Sequence, residues 1–250
     1  MDYRSLATAI AAWLRDYAAA AHLEGYVVGL SGGIDSAVVA ALCVEAVGPS
    51  NTLAVFLPCH SLGEDEAMAR LCAQSLGLQL HTVDLGPAFD ALVAALPPLS
   101  DMARANIKPR LRMTTLYALA QTRNALVAGT GNKPETAVGY YTKFGDGGVD
   151  VKPLGEVYKH EVRGLARVLE VPEPLIVRPP TAGLWPGQTD EGELGLTYDV
   201  LDALLEDLEH GRQPACEAAT LERVQRMMAI SAHKRELPPA FPMQAFRSPA

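Results

Sequence analysis

Positive charge is in short supply in this sequence. Lys and Arg number 21 against 29 Asp and Glu, a formal net charge of −8. A protein whose main partner is nucleic acid wants a basic face for the phosphate backbone, so that class is disfavoured. Small phosphorylated ligands need only a few local cations and remain open. Long apolar runs are missing too. Nothing approaches the ~20 uninterrupted apolar residues that cross a bilayer. Met1-Asp2-Tyr3-Arg4 does not begin a signal peptide, because the apolar residues behind it are helically spaced and broken by Arg15 and Asp16. The expected place is the cytoplasm, with no membrane partner. Cysteine is sparse: Cys43, Cys59, Cys72 and Cys216 form no C-x-x-C pair. That speaks against a zinc ribbon or an iron–sulfur cluster and fits a reducing compartment. Cys43 sits on an apolar helix face and reads as core. There are no repeats, no low-complexity tracts and no linker, so residues 1–250 are expected to form one domain with a full core.

What is present is an ordinary soluble composition, 49% hydrophobic and 20% charged, organised around one stretch. Gly29-Leu30-Ser31-Gly32-Gly33-Ile34-Asp35-Ser36 follows an apolar strand-like run, Tyr26-Val27-Val28, and precedes a helix-like run, Ala37 to Leu42. A glycine turn between strand and helix aims several backbone N–H groups at one spot, at the positive end of a helix dipole. That is an anion site, and phosphate is the expected anion. No Lys-Ser/Thr pair follows the last glycine, so this is not a Walker A loop, and it is not G-x-G-x-x-G. Ser31 and Ser36 offer hydroxyls to phosphate, and Asp35 offers a carboxylate to Mg²⁺. A lone glycine turn would read as a simple strand–helix connection with Asp35 as its cap; the combination favours the phosphate loop.

Along the chain, Leu6, Ile10, Trp13, Leu14 and Tyr17 share one helical face, predicting a helix from about Asp2 to Ala21. A helix to about Val47 follows the loop, then strands over Thr52–Leu57 and Leu78–Val83 with a helix over Glu64–Leu76 between them. Phe89–Leu96 is a short helix, Ser100–Pro109 is expected to be irregular, and Arg110–Asn124 is a helix apolar nearly all round and therefore buried. Arg110 and Arg112 in its first turn oppose the dipole, which favours a ligand or a partner chain over mere surface charge. Strands alternating with helices imply an α/β fold, a parallel sheet with helices on both faces, whose ligands sit at the carboxyl ends of the strands.

A fourth strand, Ala125–Ala128, runs into a second glycine turn, Gly129-Thr130-Gly131-Asn132-Lys133-Pro134-Glu135. Thr130 offers a hydroxyl. Glu135 alone reads as a helix-start residue; beside Asp35 it would complete a Mg²⁺ site. Gly139 to Asp150 gathers glycines, Tyr140, Tyr141, Lys143, Asp146 and Asp150. Lys159 lies on a helix from about Glu156 to Leu169, Pro172–Pro186 is proline-rich and holds Thr181, and Gln188 to Gly195 is acidic with the look of a mobile loop. Helices are expected over Tyr198–Leu208 and around Leu221–Ile230. His233-Lys234-Arg235 by itself reads as helix C-capping charge.

The Ser-Gly-Gly-x-Asp-Ser pattern resembles the pyrophosphate loop of the N-type ATP pyrophosphatases. Asn106 to Met113, Gly129 through Lys143 to Asp150, Gln188 to Gly195 and His233-Lys234-Arg235 narrow the resemblance to the NAD synthetase family, in its single-domain, ammonia-using form. The glutamine-using form carries an amidase domain ahead of this one, which 250 residues starting at Met leave no room for. Pro109 departs from the pattern, standing where a small residue such as Ala is expected. The resemblance implies the adenine-nucleotide alpha-hydrolase fold. It also implies amidation of deamido-NAD through an acyl adenylate, with ATP as co-substrate and Mg²⁺ as metal. By the same resemblance Gly29 through Ser36, Thr130, Lys159 and Thr181 contact ATP, and Asp35 and Glu135 hold Mg²⁺. Arg110, Lys143, Asp150, His233 and Lys234 hold deamido-NAD. Asp150 is the candidate for taking a proton from ammonium, and Lys159 for neutralising the departing pyrophosphate. The family implies a homodimer with the dinucleotide at the subunit interface, and a separate glutaminase supplying ammonia in trans is compatible with it. The segments around Ser100 and Gln188 are expected to close over the site. Two other readings stay open on the residues: another amide-forming or thiolating pyrophosphatase, and a non-catalytic adenine-nucleotide sensor.

Overall fold

The structure is a computed structural model that describes residues 1–61, 63–181 and 188–243. Four parallel strands lie in the order β3-β2-β1-β4: β1 Gly25–Gly29, β2 Thr52–Phe56, β3 Leu80–Thr82 and β4 Ala125–Ala128. A single parallel bridge, Ala128 to Val151, extends the sheet past β4. Side chains alternate between two cores, as a sheet covered on both faces requires. Tyr26, Val28, Ala54, Phe56, Leu126 and Ala128 enter one cluster; Val27, Val55 and Val127 enter the other.

The first cluster is roofed by α1 (Tyr3–Ala20), α2 (Ile34–Val47) and, further along the chain, the helix over Lys159–Val168. Asp2 caps α1, its carboxylate accepting from the N–H groups of Arg4 and Ser5. α2 is buried along nearly its whole length, Cys43 included, so the loop before it is anchored in the core. α3 (Gly63–Ser75) leads from β2 to β3. The opposite face carries α4 (Gly86–Ala95), α5 (Asp101–Ala105) and α6 (Ile107–Thr122).

Two expectations change here. The stretch from Ser100 to Pro109 is helical: Ser100 caps α5 through its hydroxyl, and α6 starts at Ile107. Pro109 then falls in the first turn of α6, where its missing N–H leaves no hydrogen bond unmade. And α6 is not buried within one chain: only Ile107, Pro109 and Ala120 are, while Arg110, Thr114 and Ala118 form an exposed stripe.

Beyond β4 the chain builds α7 (Lys133–Val138), α8 (Lys159–Val168), α9 (Glu173–Ile176), α10 (Asp190–Leu194), α11 (Tyr198–Glu209), α12 (Ala218–Ile230) and α13 (Ala232–Arg235). A third cluster, with Val138, Tyr158, Leu194, Tyr198, Leu201 and Val224, joins α7, α10, α11 and α12 beside the sheet. The proline-rich stretch leaves the described residues after 181 and re-enters at Gln188. The chain runs outward from β1 to β3 and then returns to lay β4 on the other side of β1. The carboxyl ends of β1 and β4 are thus a topological switch point, where open α/β sheets bind ligands.

Candidate active site

At the end of β1, Leu30 still pairs with the sheet, its N–H donating to Val55 O at 2.8 Å. Gly32 then turns with φ +82, and a Cβ there would lie 2.6 Å from Asp65 O. Only glycine fits that turn. Gly33 caps α2 without a side chain, so the first-turn N–H groups of α2 stay open to an anion. The hydroxyls brace the turn: Ser36 Oγ donates to Gly33 O (2.9 Å) and accepts from Ser31 N–H (3.2 Å). Ser31 Oγ lies 3.2 Å from Ser36 Oγ and accepts from Gly33 N–H at 3.3 Å.

Across the switch point, the second turn ends in a capping box on α7. Asn132 accepts from Glu135 N–H through its side chain, and Glu135 accepts from Asn132 N–H. Asn132 is fully buried and its amide is completely used: Nδ2 donates to Asp35 Oδ1 (2.9 Å) and Glu135 Oε1 (2.8 Å). Lys159, the first residue of α8, is 2% exposed and reaches into the same spot. Its Nζ is 2.5 Å from Asp35 Oδ2, 3.6 Å from Glu135 Oε1 and 4.6 Å from the centre of the Tyr198 ring. The Tyr198 hydroxyl bridges Glu135 Oε1 and Asp190 Oδ2, each at 3.1 Å. Burial, more than the nearby Asp35 and Asp190, pushes the Glu135 carboxyl up to about 7 against the pull of Lys159. For Lys159 burial opposes the charge, but Asp35 and Glu135 outweigh it and its pKa rises.

The two carboxylates expected to hold Mg²⁺ therefore face one point, now bridged by an ammonium. Mg²⁺ is commonly held by one or two carboxylates plus substrate phosphates. Asp35 and Glu135 fit it in that way only, since among the described residues no group of three acidic, His or Cys side chains could hold a metal by itself.

Both turns open on one cleft of about 700 Å³, within the range of small-molecule sites. Gly29, Leu30, Ser31, Gly33, Ile34, Asp35, Ser36, Thr130, Glu135 and Thr181 line it, as do Arg110, Lys143, His233 and Lys234. Three of the expected residues do not. Gly32 faces α3 and Arg178. Lys159 lies behind Asp35. Asp150 is exposed and held elsewhere, its carboxylate accepting from Val127 N–H (2.7 Å) and Tyr117 Oη (3.1 Å).

Four of the cleft's cations are paired with carbonyls. Lys143 donates to His233 O, and Lys234 to Gly139 O and Tyr141 O, both at 2.7 Å. Arg112 Nε donates to Leu57 O at 3.0 Å, and Arg110 to Lys143 O at 3.4 Å. Among the described residues none of the four has a salt bridge. The cleft also carries carboxylates, and Asp146 acts on Lys234 and Arg112 without a salt bridge, so these cations are held by neutral carbonyls and keep their charge for an anionic ligand. Arg235 Nη1 and Lys234 reach Ala137 O and Gly139 O at the end of α7. The basic triplet does cap helices: besides the end of α7, Arg235 Nη2 donates to Met228 O at 2.7 Å in the last turn of α12, the helix before it.

A family model described as NAD synthase matches residues 6–238. The NH(3)-dependent NAD(+) synthetase of Carboxydothermus hydrogenoformans is 47% identical over 231 residues, 90% of this chain and 92% of that protein. The chain belongs to the NAD synthase family. Among solved structures, an NMN synthetase from Francisella tularensis superposes with TM-score 0.89 at 38% identity, covering 96% of this chain and 98% of that one. The NH3-dependent NAD synthetase from Campylobacter jejuni, bound to nitrate, superposes with TM-score 0.84 at 27% identity, covering 97% and 100%.

This NAD synthase cleft also uses residues that the sequence did not single out. Asn132 stands at the first position of an Asn-x-x-Glu capping box, a signal present in the sequence. Asp190 lay within a motif but had no role. Tyr198 and Arg178 carry no local signal; only the fold brings them to the site. Arg112, grouped with Arg110 by sequence, instead turns towards the end of β2.

Proposed function

We propose that this chain catalyses ATP-dependent amidation of deamido-NAD by ammonia to NAD, the last step of NAD biosynthesis, releasing AMP and pyrophosphate. Family membership supports the reaction. The observation that carries it to this molecule is a cleft in which a glycine loop with an open helix N-terminus shares the lining with Arg110, Arg112, Lys143 and Lys234, which form no salt bridge among the described residues. Two polyphosphate substrates need both halves.

In the first step a carboxylate oxygen of the nicotinate attacks the α-phosphorus of ATP; the O–P bond forms, and the bond to the β-phosphate breaks. In the second, ammonia attacks the acyl carbon and AMP leaves with the oxygen that linked them. The protein's task is positioning and charge stabilisation. The N–H groups of Gly29 to Ser36 and the Ser31 and Ser36 hydroxyls receive the phosphates, with Thr130 and Thr181 at the same cleft. Lys159 holds positive charge against the departing pyrophosphate. Asp35 and Glu135 are the residues that hold Mg²⁺, which supplies further charge neutralisation when bound. Arg110, Lys143, His233 and Lys234 hold deamido-NAD. Asp150, fixed by Val127 and Tyr117 outside its own chain's cleft, is placed as a binding group. A homodimer with the dinucleotide spanning two chains makes it reachable. The chain acts as a single domain in the cytoplasm, with ammonia free or supplied in trans by a glutaminase.

A second acceptor is favoured by one observation, the close superposition on an NMN synthetase. NMN differs from its nicotinate counterpart by the same amide. The test is to offer ATP, Mg²⁺ and ammonium with deamido-NAD or nicotinate mononucleotide. Efficient NAD formation with at least about tenfold preference for the dinucleotide supports the first reading; the reverse preference replaces it. AMP formed only with an unrelated acceptor keeps the pyrophosphatase chemistry and overturns both, and no AMP at all moves the sensor reading forward.

A further inference from the structure

Arg178 lies on the segment after α9, far in sequence from the phosphate loop, yet it touches it. Its Nη1 donates to Gly32 O at 3.0 Å, and its Nη2 pairs with Asp65 Oδ1 at 2.7 Å. Both side chains are largely buried, 19% and 16% exposed, and both border the cleft. Three separate elements thus meet at one backbone carbonyl: the turn after β1, the start of α3, and the strap from α9 towards Thr181.

The consequence follows from peptide geometry. In a planar trans peptide the C=O of one residue and the N–H of the next point in opposite directions. Fixing Gly32 O on the α3 side therefore aims Gly33 N–H at the cleft side. Gly33 lines the cleft and Gly32 does not. That N–H donates to Ser31 Oγ at 3.3 Å, a long contact that a phosphate oxygen can replace. The Gly32–Gly33 peptide is intrinsically soft, because neither residue has a side chain to bias its rotation. Arg178 supplies the missing restraint. Asp65 in turn holds the guanidinium in place and offsets its charge, so orientation outweighs added positive potential.

We propose that Arg178, held by Asp65, is a positioning residue that aims the Gly33 amide at the phosphates of ATP. This rests on the reading of Gly29 to Ser36 as the ATP loop. The strap carries the same function to the other half of the site. Pro180 O accepts from Asp190 N–H (3.2 Å) and Thr181 Oγ1 donates to Gln188 O (2.8 Å). The chain that grips the phosphate loop is thereby tied to the residue that Tyr198 links to Glu135.

The experiment uses the full chain and the variants R178M, R178K, D65N and R178M/D65N, with thermal melts to confirm folding. ATP affinity is read by calorimetry without acceptor, and KM is read for ATP and for deamido-NAD. R178M is expected to weaken ATP about tenfold, the scale of one charge-assisted hydrogen bond, while deamido-NAD KM stays within about twofold. R178K, whose ammonium still reaches Gly32 O, recovers most of the loss. D65N weakens ATP less than R178M does, and the double variant is no worse than R178M alone. Unchanged ATP affinity in R178M, equal loss for both substrates, or failure of Lys to rescue overturns the proposal. If R178M does not fold, unchanged ATP affinity in both R178K and D65N does so. Wild-type protein that binds no ATP removes the loop assignment itself, a result separate from any variant's behaviour.

Discussion

Lys159 and Tyr198 show how much a single side chain in this protein is asked to hold. One ammonium bridges Asp35 and Glu135, and one phenol bridges Glu135 and Asp190. Asp35→Asn is expected to lower AMP formation by at least about a hundredfold, since it removes a charge from both the Lys159 pair and the proposed Mg²⁺ pair. Circular dichroism and size would be unchanged; retention of full turnover would remove the metal assignment. Lys143→Ala should raise deamido-NAD KM about tenfold with ATP KM little moved, because Lys143 borders the cleft and is proposed to hold deamido-NAD. Glu135 gives a pH prediction. Its carboxyl is lifted from 4.5 to about 7, so in metal-free, ligand-free protein the folded state favours the protonated form. Its stabilising share is complete below the unfolded value near 4.5 and is lost as pH rises through about 7. Melting temperature should fall between about pH 5 and pH 8, and Glu135→Gln should flatten that fall; an unchanged slope would show that Glu135 does not titrate there. At this scale the sequence exposed Asp35 and Glu135 because each sits in a glycine turn at a strand end. Tyr198 and Arg178 were illegible because their partners lie 63 and 146 residues away.

At the scale of elements, strand–helix alternation made the sheet readable: β2, β3 and β4 fall inside the expected spans, and β1 runs one residue past the expected Tyr26-Val27-Val28 at each end. The short β3 and the helical turn of α5 were harder. Ser100 to Pro109 has polar residues and a proline, and the signal that it is helical is a single capping serine. The apolar character of α6 was read as burial, but apart from Ile107, Pro109 and Ala120 its residues are half covered or exposed in one chain. The second glycine turn offers a test of local design. Asn132→Ala removes the cap of α7 and should cost about 1–2 kcal/mol of stability in denaturant titration. It also releases Asp35 and Glu135 from a shared donor, so AMP formation should fall by more than that loss of stability explains. If stability drops and turnover per folded molecule does not, Asn132 is a cap and nothing more. Met102 and Asn106 from α5 and its edge, and Gln188 with Asp190 and Glu193 from α10 and its approach, border the cleft. ATP with deamido-NAD should slow limited proteolysis at both segments.

For the whole molecule, the exposed stripe of α6 beside half-covered Leu111, Tyr117 and Leu119 and the placement of Asp150 outside its own cleft both suit a paired chain. Light scattering should return about twice the 26.6 kDa chain mass; a monomer that is fully active would contradict the shared-interface reading. The central claim, that ATP is split between its α and β phosphates to activate a carboxylate, has one decisive measurement. Deamido-NAD labelled with oxygen-18 in its carboxylate is turned over with ATP, Mg²⁺ and ammonium, and the products are weighed by mass spectrometry. The expected result is one labelled oxygen in the phosphate of AMP for each NAD formed. AMP without label, or ADP and phosphate in its place, would contradict an acyl adenylate.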